Sequence, residues 1–290
     1  MSNNSITIKA PAKINLSLDI TGRREDGYHL VRMLMQSLSC YDEVTVEARE
    51  DMENTMECNI PGRPADGRNL CIKAAKAMQE SFGIQHGFHI RLKKQIPMAA
   101  GLAGGSTDAA AVMRAICEID SLDATTEKLQ QIALPLGADI PYCIVGGLML
   151  SEGIGEILTE LSPLPTKSVL LVKPNVDVST GTVYKAYDAL SEEEIHHPDT
   201  DQLLDYVTKG DWDALLRETS NVLEDVTAPM EKSIPEIEKE LRERGAKGTM
   251  MSGSGPTVFA VYDTEDKMSK AAEEMQRMHP EYEVRMTQTV

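Results

Sequence analysis

The stretch "MAAGLAGGSTDAAAVM" (residues 98–113) sets Gly101, Gly104 and Gly105 directly before an alanine-rich run. Glycine adopts backbone conformations closed to other residues and lets another group approach closely. Ser106 or Thr107 can cap a helix beginning near Asp108, and Ala109, Val112, Ala115 and Ile116 recur at helical spacing. A glycine loop that opens into a helix N-terminus suits a phosphate, because unpaired N–H groups and the helix dipole both favour an anion. A plain strand-to-helix turn fits the same residues. Neither a Walker loop nor a G-x-G-x-x-G fingerprint is present.

Two further glycine-bearing segments stand out, at residues 13–29 and at 252–256, "SGSGP". Each alone fits a turn between strands. In "GADIPYC", Asp139 lies between Gly137 and Pro141; a general base and an exposed turn aspartate both fit. Lys13, between Ala12 and Ile14, is either a solvated strand lysine or a placed charge. Tyr28 and His29 follow Gly27 and fit a hairpin tip as well as a stacking face. His86, His89, His196, His197 and His279 show no ligand spacing with a carboxylate or cysteine, so no metal site built from protein ligands is expected. The five cysteines are widely spaced, contain no C-x-x-C pair and read as reduced thiols.

The charge balance bounds the partners. Acidic residues number 46 against 29 basic ones, a net charge of −17, which argues against general binding to nucleic acid or anionic membrane. A phosphate-ester ligand then requires the few cations to be concentrated locally. Apolar runs are too short to span a bilayer, and the start shows no signal-peptide h-region, so a cytoplasmic location is expected. A length of 290 residues suffices for two modest domains sharing a cleft.

The elements that must position these residues follow from pattern and punctuation. Residues 6–20 read as two strands broken near Pro11, and strands are expected within 31–49. A helix is expected over 69–81, a strand over 88–97 leading into the glycine loop, and helices over 107–117 and 126–134. "GLMLSEGIGEILTEL" returns to strands. Two prolines in "LSPLPTKS" mark a boundary, giving domains 1–162 and 163–290. Beyond it, "SVLLVKP" is a strand. Helical patterns follow at 179–190, 200–207, 211–218 and 234–244, then two strands around "SGSGP", a helix over 265–277 and a last strand. The second half reads as α+β, with helices on one face of an antiparallel sheet.

Taken together, "APAKINLSLDITGRREDGYH", "IPMAAGLAGGSTDAAA" and "MSGSGPTVFAVY" resemble, in their usual order, the three signature motifs of the GHMP small-molecule kinases. The likeness covers nearly the whole chain. With "GRNL", "GADIPYCIVGG", "STGTVYKAY" and "SNVLEDVT", it is closest to the branch that phosphorylates a cytidine diphosphate methylerythritol in the non-mevalonate route to isoprenoids. The resemblance implies an α+β, two-domain GHMP kinase fold. Its N-terminal domain would be like domain 2 of ribosomal protein S5, with a left-handed βαβ feature, and its C-terminal domain ferredoxin-like. It implies ATP, with Mg²⁺ on the nucleotide, and a monomer or weak homodimer.

By residue, the resemblance implies that the loop after Pro97 (Ala99, Ala100, Gly101, Leu102, Ala103, Gly104, Gly105) wraps the ATP phosphates. Ser106 and Thr107 would add hydroxyls for phosphate or Mg²⁺, and Asn69 and Lys94 would lie at the adenosine end. Asp139 matches the family base. Lys13 matches the lysine that holds that base and stabilises charge on the reacting oxygen. Asn15 lies near the acceptor. Tyr28 and His29 match the cytosine site, with Tyr184 on the other side of the base. Gly253, Ser254 and Gly255 would fold over the substrate phosphates. Thr107, Ala138 and Tyr142 depart from common family residues without removing a charge or a nucleophile. A homoserine- or mevalonate-type kinase, and a non-catalytic nucleotide-binding relative, are the alternatives.

Overall fold

The computed structural model describes residues 4–62 and 64–290. The chain forms two compact bodies that interleave in sequence. Among the described residues, the first comprises residues 4–12, Tyr41–Ile96 and Ala103–Gly146; the second comprises Lys13–Cys40, Pro97–Leu102 and Gly147–Val290. Two long strands, β1 (Ser5–Arg23) and β2 (His29–Ala48), each contribute residues to both bodies.

The break expected near Pro11 does not occur, because β1 runs on for 19 residues. Proline is tolerated in a strand where no ladder hydrogen bond needs its missing N–H, as at a sheet edge. β1 pairs with β2 alongside the main strand path.

In the first body the end of β2 pairs antiparallel with β4 (Phe88–Lys93), from Glu43 opposite Lys93 to Ala48 opposite Phe88. A short strand that the sequence pattern did not reveal, β3 (Thr55–Cys58), pairs parallel with β4. A parallel pair requires a crossover, and α1 (Leu70–Phe82) supplies it. The Asn69 side chain caps α1, and Gly83 closes it at φ 65°. Helix α2 (Gly104–Ile119) packs on α1, and both helices bury alanines, Ala74 and Ala75 in α1 and Ala109–Ala111 and Ala115 in α2. α3 (Thr126–Ala133), a 3₁₀ turn (Leu134–Leu136) and α4 (Ile140–Val145) complete this body.

In the second body the start of β2 pairs with β5 (Leu148–Glu152), which pairs with β6 (Ile157–Glu160). The expected boundary at 162/163 falls in the link from β6 to β7 (Ser168–Lys173). β7 joins β8 (Gly248–Met251), β9 (Val258–Tyr262) and β10 (Glu283–Gln288) in an antiparallel sheet of order β10-β7-β9-β8. Helices α7 (Trp212–Glu218), α9 (Ser233–Glu243) and α10 (Glu265–Met278) pack against it, and α5 (Thr180–Tyr187), α6 (Thr200–Lys209) and α8 (Glu224–Met230) belong to the same body. Successive residues of β7 and β9, Val169–Val172 and Val258–Tyr262, are all buried. Neighbouring strand residues point to opposite faces, so both faces of these central strands are covered.

Candidate active site

The glycine loop turns by left-handed residues at alternate positions: Ala99, Gly101 and Ala103 have φ of 48°, 72° and 55°. Two alanines in that region cost roughly 1–2 kcal/mol each, and such strain clusters where backbone N–H groups must converge. Helix α2 therefore starts at Gly104, four residues ahead of the expected Asp108. Its cap position is Ala103, with no side-chain cap bond. Ser106 and Thr107 are thus inside the first turn and do not cap it. An uncapped N-terminus, free of acidic residues in its first turn, keeps its N–H groups and dipole for an anion. The Thr107 hydroxyl is fully buried and makes no hydrogen bond among the described residues.

The loop's flanks are held by buried charges. Lys94 follows β4, and its ammonium bonds both Asp42 and Asp108, the latter at 2.7 Å. Asp42 also accepts the N–H groups of Gln95 and Ile96, at 2.5 and 2.8 Å. All three side chains are buried. Burial pushes the Asp108 carboxyl up to about 7 despite Lys94 beside it, and Asp42 adds to the rise. The two carboxylates raise Lys94 against the opposing effect of burial. Lys94 therefore sits under the helix start, its Nζ 3.1 Å from where a Cβ on Gly104 would stand. Asn69 likewise spends its side chain locally: its Oδ1 accepts the Cys71 N–H at 2.9 Å, and its Nδ2 donates to the Pro64 carbonyl at 3.0 Å.

In the second body Lys13 is buried, and its Nζ donates to Asn15 Oδ1 at 2.7 Å. Asn15 is fully buried and donates to Met33 Sδ at 3.3 Å. The Lys13 N–H reaches the Leu102 carbonyl, and Ser252 Oγ donates to the Gly101 carbonyl at 3.1 Å. A Cβ on Gly101 would meet the Ser252 carbonyl oxygen at 2.0 Å; one on Gly253 would meet the Gly101 carbonyl at 3.1 Å and Asn15 Oδ1 at 3.5 Å. "SGSGP", Asn15 and the first half of the glycine loop therefore meet, and glycine is required because backbones touch. Asn221 secures this motif by donating to the Met251 and Gly253 carbonyls at 2.9 and 2.8 Å. Thr180 Oγ1 lies 2.9 Å from Ser254 Oγ.

The same body brings His29 and Tyr184 together, with ring centroids 5.0 Å apart and tilted by 39°. Tyr187 meets His29 edge-on at 6.1 Å. Tyr28, next to His29 in sequence, is 58% exposed. The His29 side chain is largely buried, and its Nε2 lies 2.7 Å from Asp188 Oδ1. Asp139 stands in the first body at the N-cap position of α4, half-buried, with its carbonyl accepting the Cys143 N–H at 3.1 Å. Pro141 follows in the first turn of α4, where a missing N–H costs nothing.

Sequence reasoning missed Asp42, Asp108, Asn221, Thr180 and Asp188. Each acts through a partner 14 or more residues away in the chain. Only the "SNVLEDVT" and "STGTVYKAY" segments drew attention to two of the regions.

The profile of the GHMP kinases N terminal domain matches residues 69–147, and that of the GHMP kinases C terminal matches 203–281. A 4-diphosphocytidyl-2-C-methyl-D-erythritol kinase of Clostridium botulinum is 45% identical over 98% of this chain and 100% of its own length. One of Acetivibrio thermocellus is 44% identical over 99% of each. A crystal structure of 4-(cytidine 5'-diphospho)-2C-methyl-D-erythritol kinase superposes with a TM-score of 0.81 at 30% identity, covering 98% of this chain and 99% of that one. A homoserine kinase from Cytophaga hutchinsonii shares the fold, with a TM-score of 0.79 at 19% identity over 100% of this chain and 96% of that one. The chain belongs to the GHMP kinases, a family of ATP-dependent small-molecule kinases.

Proposed function

We propose that this chain transfers the terminal phosphoryl group of ATP to the 2-hydroxyl of 4-diphosphocytidyl-2-C-methyl-D-erythritol, in the cytoplasm, within the non-mevalonate route to isoprenoid precursors. The observation that carries the substrate choice is the contact of the His29 and Tyr184 rings in one body, with exposed Tyr28 next to His29 in sequence. A base has a flat face to stack there, at ~1–3 kcal/mol per base. Homoserine and mevalonate offer no such face. Relatives of 42–45% identity over nearly the full length bear the name of this activity, which supports the same choice. A net charge of −17 keeps nucleic acid and anionic membranes out of the reading.

Phosphoryl transfer depends on placement and charge stabilisation more than on covalent chemistry. The uncapped start of α2 and the bend at 99–103 receive the ATP phosphates through N–H groups. Asp139 accepts the acceptor hydroxyl's proton as the oxygen attacks phosphorus. Lys13, oriented by Asn15, stabilises negative charge at the reacting oxygen. The Ser106 and Thr107 hydroxyls fit a magnesium nucleotide: Thr107 Oγ1 is a buried, unpartnered hard oxygen donor. Magnesium, when bound, neutralises phosphate charge. "SGSGP", held by Asn221, bonds the first half of the loop through Ser252 Oγ to the Gly101 carbonyl.

The test is ATP consumption by the purified chain with 4-diphosphocytidyl-2-C-methyl-D-erythritol, homoserine or mevalonate, with and without Mg²⁺. Turnover confined to the cytidylyl substrate is expected. Equal or greater turnover of either of the others overturns the reading.

A further inference from the structure

The carboxylate of Asp188 joins two parts of the chain 159 residues apart. Asp188 follows the last residue of α5, where its N–H donates to the Tyr184 carbonyl at 3.1 Å. Its two oxygens take separate partners: Oδ1 meets His29 Nε2 at 2.7 Å, and Oδ2 meets Arg23 Nη1 at 3.0 Å. Arg23 in turn donates from Nε to the Gly27 carbonyl at 3.2 Å. The turn of residues 24–28 is closed by its own bonds, Arg24 N–H to the Tyr28 carbonyl at 2.7 Å and Gly27 N–H to the Arg24 carbonyl at 3.0 Å. One carboxylate, one residue past the helix that carries Tyr184, thus grips both ends of the β1–β2 turn.

We infer that Asp188 is a positioning residue for the nucleobase site, tying the Tyr28–His29 turn to Tyr184 so that their rings stand ready for a pyrimidine. This rests on the cytidylyl-substrate reading above. The physical reason is preorganisation. Tyr28 is mostly in solvent, and the bonds that close its turn lie within the turn itself, so they do not set its distance from Tyr184. A stacking site whose two faces are free to part must be ordered by the ligand, which weakens binding. Charge-assisted bonds to Asp188, one oxygen taking His29 and the other Arg23, reduce that cost. His29 is also set: with Nε2–H donating to the carboxylate, its ring stays packed on Tyr184 and edge-on to Tyr187.

Asp188→Ala and Arg23→Gln should each raise the KM for 4-diphosphocytidyl-2-C-methyl-D-erythritol and the Kd for free cytidine 5'-diphosphate by about tenfold, or ~1.4 kcal/mol. The kcat and the KM for ATP should stay within about twofold of the parent, since the phosphate loop is untouched. The double variant should lose little more than either single one, because both act on the same turn. Asp188→Glu, which keeps the charge, should recover part of the loss. An unchanged cytidine 5'-diphosphate Kd in Asp188→Ala overturns the inference. So does a parallel fall in ATP affinity and kcat, which is what general loosening of the body produces. If the parent chain itself binds no cytidine 5'-diphosphate and does not turn over the cytidylyl substrate, the functional reading fails first.

Discussion

Gly101→Ala tests whether the glycine loop is shaped by backbone contact. The added Cβ would lie 2.0 Å from the Ser252 carbonyl oxygen, 3.0 Å from its carbon and 3.2 Å from Gly255 N, all backbone atoms that no rotamer change can move aside. The residue also sits at φ 72°, which costs a Cβ-bearing residue about 1–2 kcal/mol. Ala99 and Ala103 carry that cost at φ 48° and 55°, so dihedral strain alone is tolerable here and the clash decides the outcome. Forcing a methyl into packed surroundings adds roughly 1–3 kcal/mol. The sum, about 2–5 kcal/mol, is a large part of the ~5–15 kcal/mol that holds a domain together. Gly105→Ala is the control of opposite sign. It lies inside α2, at a non-left-handed position, with Leu70 Cδ1 at 3.6 Å as ordinary contact. Replacing a helical glycine there should gain ~0.5–1 kcal/mol. Urea unfolding of the three proteins measures both effects, with the midpoint moving and the slope held. A Gly101→Ala midpoint within about 0.5 kcal/mol of the parent would refute the claim that the two backbones touch. Equal shifts for both variants would refute the distinction between a contact glycine and a helical one.

Asp139→Asn should keep the fold and ATP affinity while kcat falls by ~10²–10⁴-fold; a variant keeping more than about a tenth of the parent kcat removes Asp139 as the base. Tyr28→Ala should weaken the cytidylyl substrate by ~1–3 kcal/mol, roughly 5- to 150-fold, and move ATP affinity less than about threefold; calorimetric titration of each ligand distinguishes this from a general loss. Buried Glu238 is pushed up to about 8, first by burial, then by Glu224, against Arg242 at 2.6 Å. Its folded form holds a proton that the unfolded chain releases near 4.5, so stability falls as pH climbs from about 5 to about 8, with a slope of up to ~1.4 kcal/mol per pH unit. Glu238→Gln should flatten that fall in a series of thermal melts; parallel Tm curves for the two proteins would contradict it.

Features that depend on neighbours within a turn or two are legible in the residues themselves. The apolar period of α2, the cap at Asn69, the alternation of β4 and the glycine-rich motifs are local patterns, and each element formed close to where its pattern lies. Local rules failed where a distant contact outweighed them. Pro11 did not break β1, which pairs with β2 off the main strand path, a place where a strand can spare an N–H. Ser106 and Thr107 did not cap α2, because the left-handed Ala103 turned the chain into the helix earlier. Charge partners were out of reach in the same way. Lys94 and Asp42 are 52 residues apart, and His29 and Asp188 are 159 apart. Nothing in either segment names the other, since a Coulomb pair depends on separation in space and on burial, and both are set only when the chain has packed. Only packing makes Lys94 a buried brace beneath the helix start, Gly101 a backbone contact, and Asp188 the shared partner of Arg23 and His29.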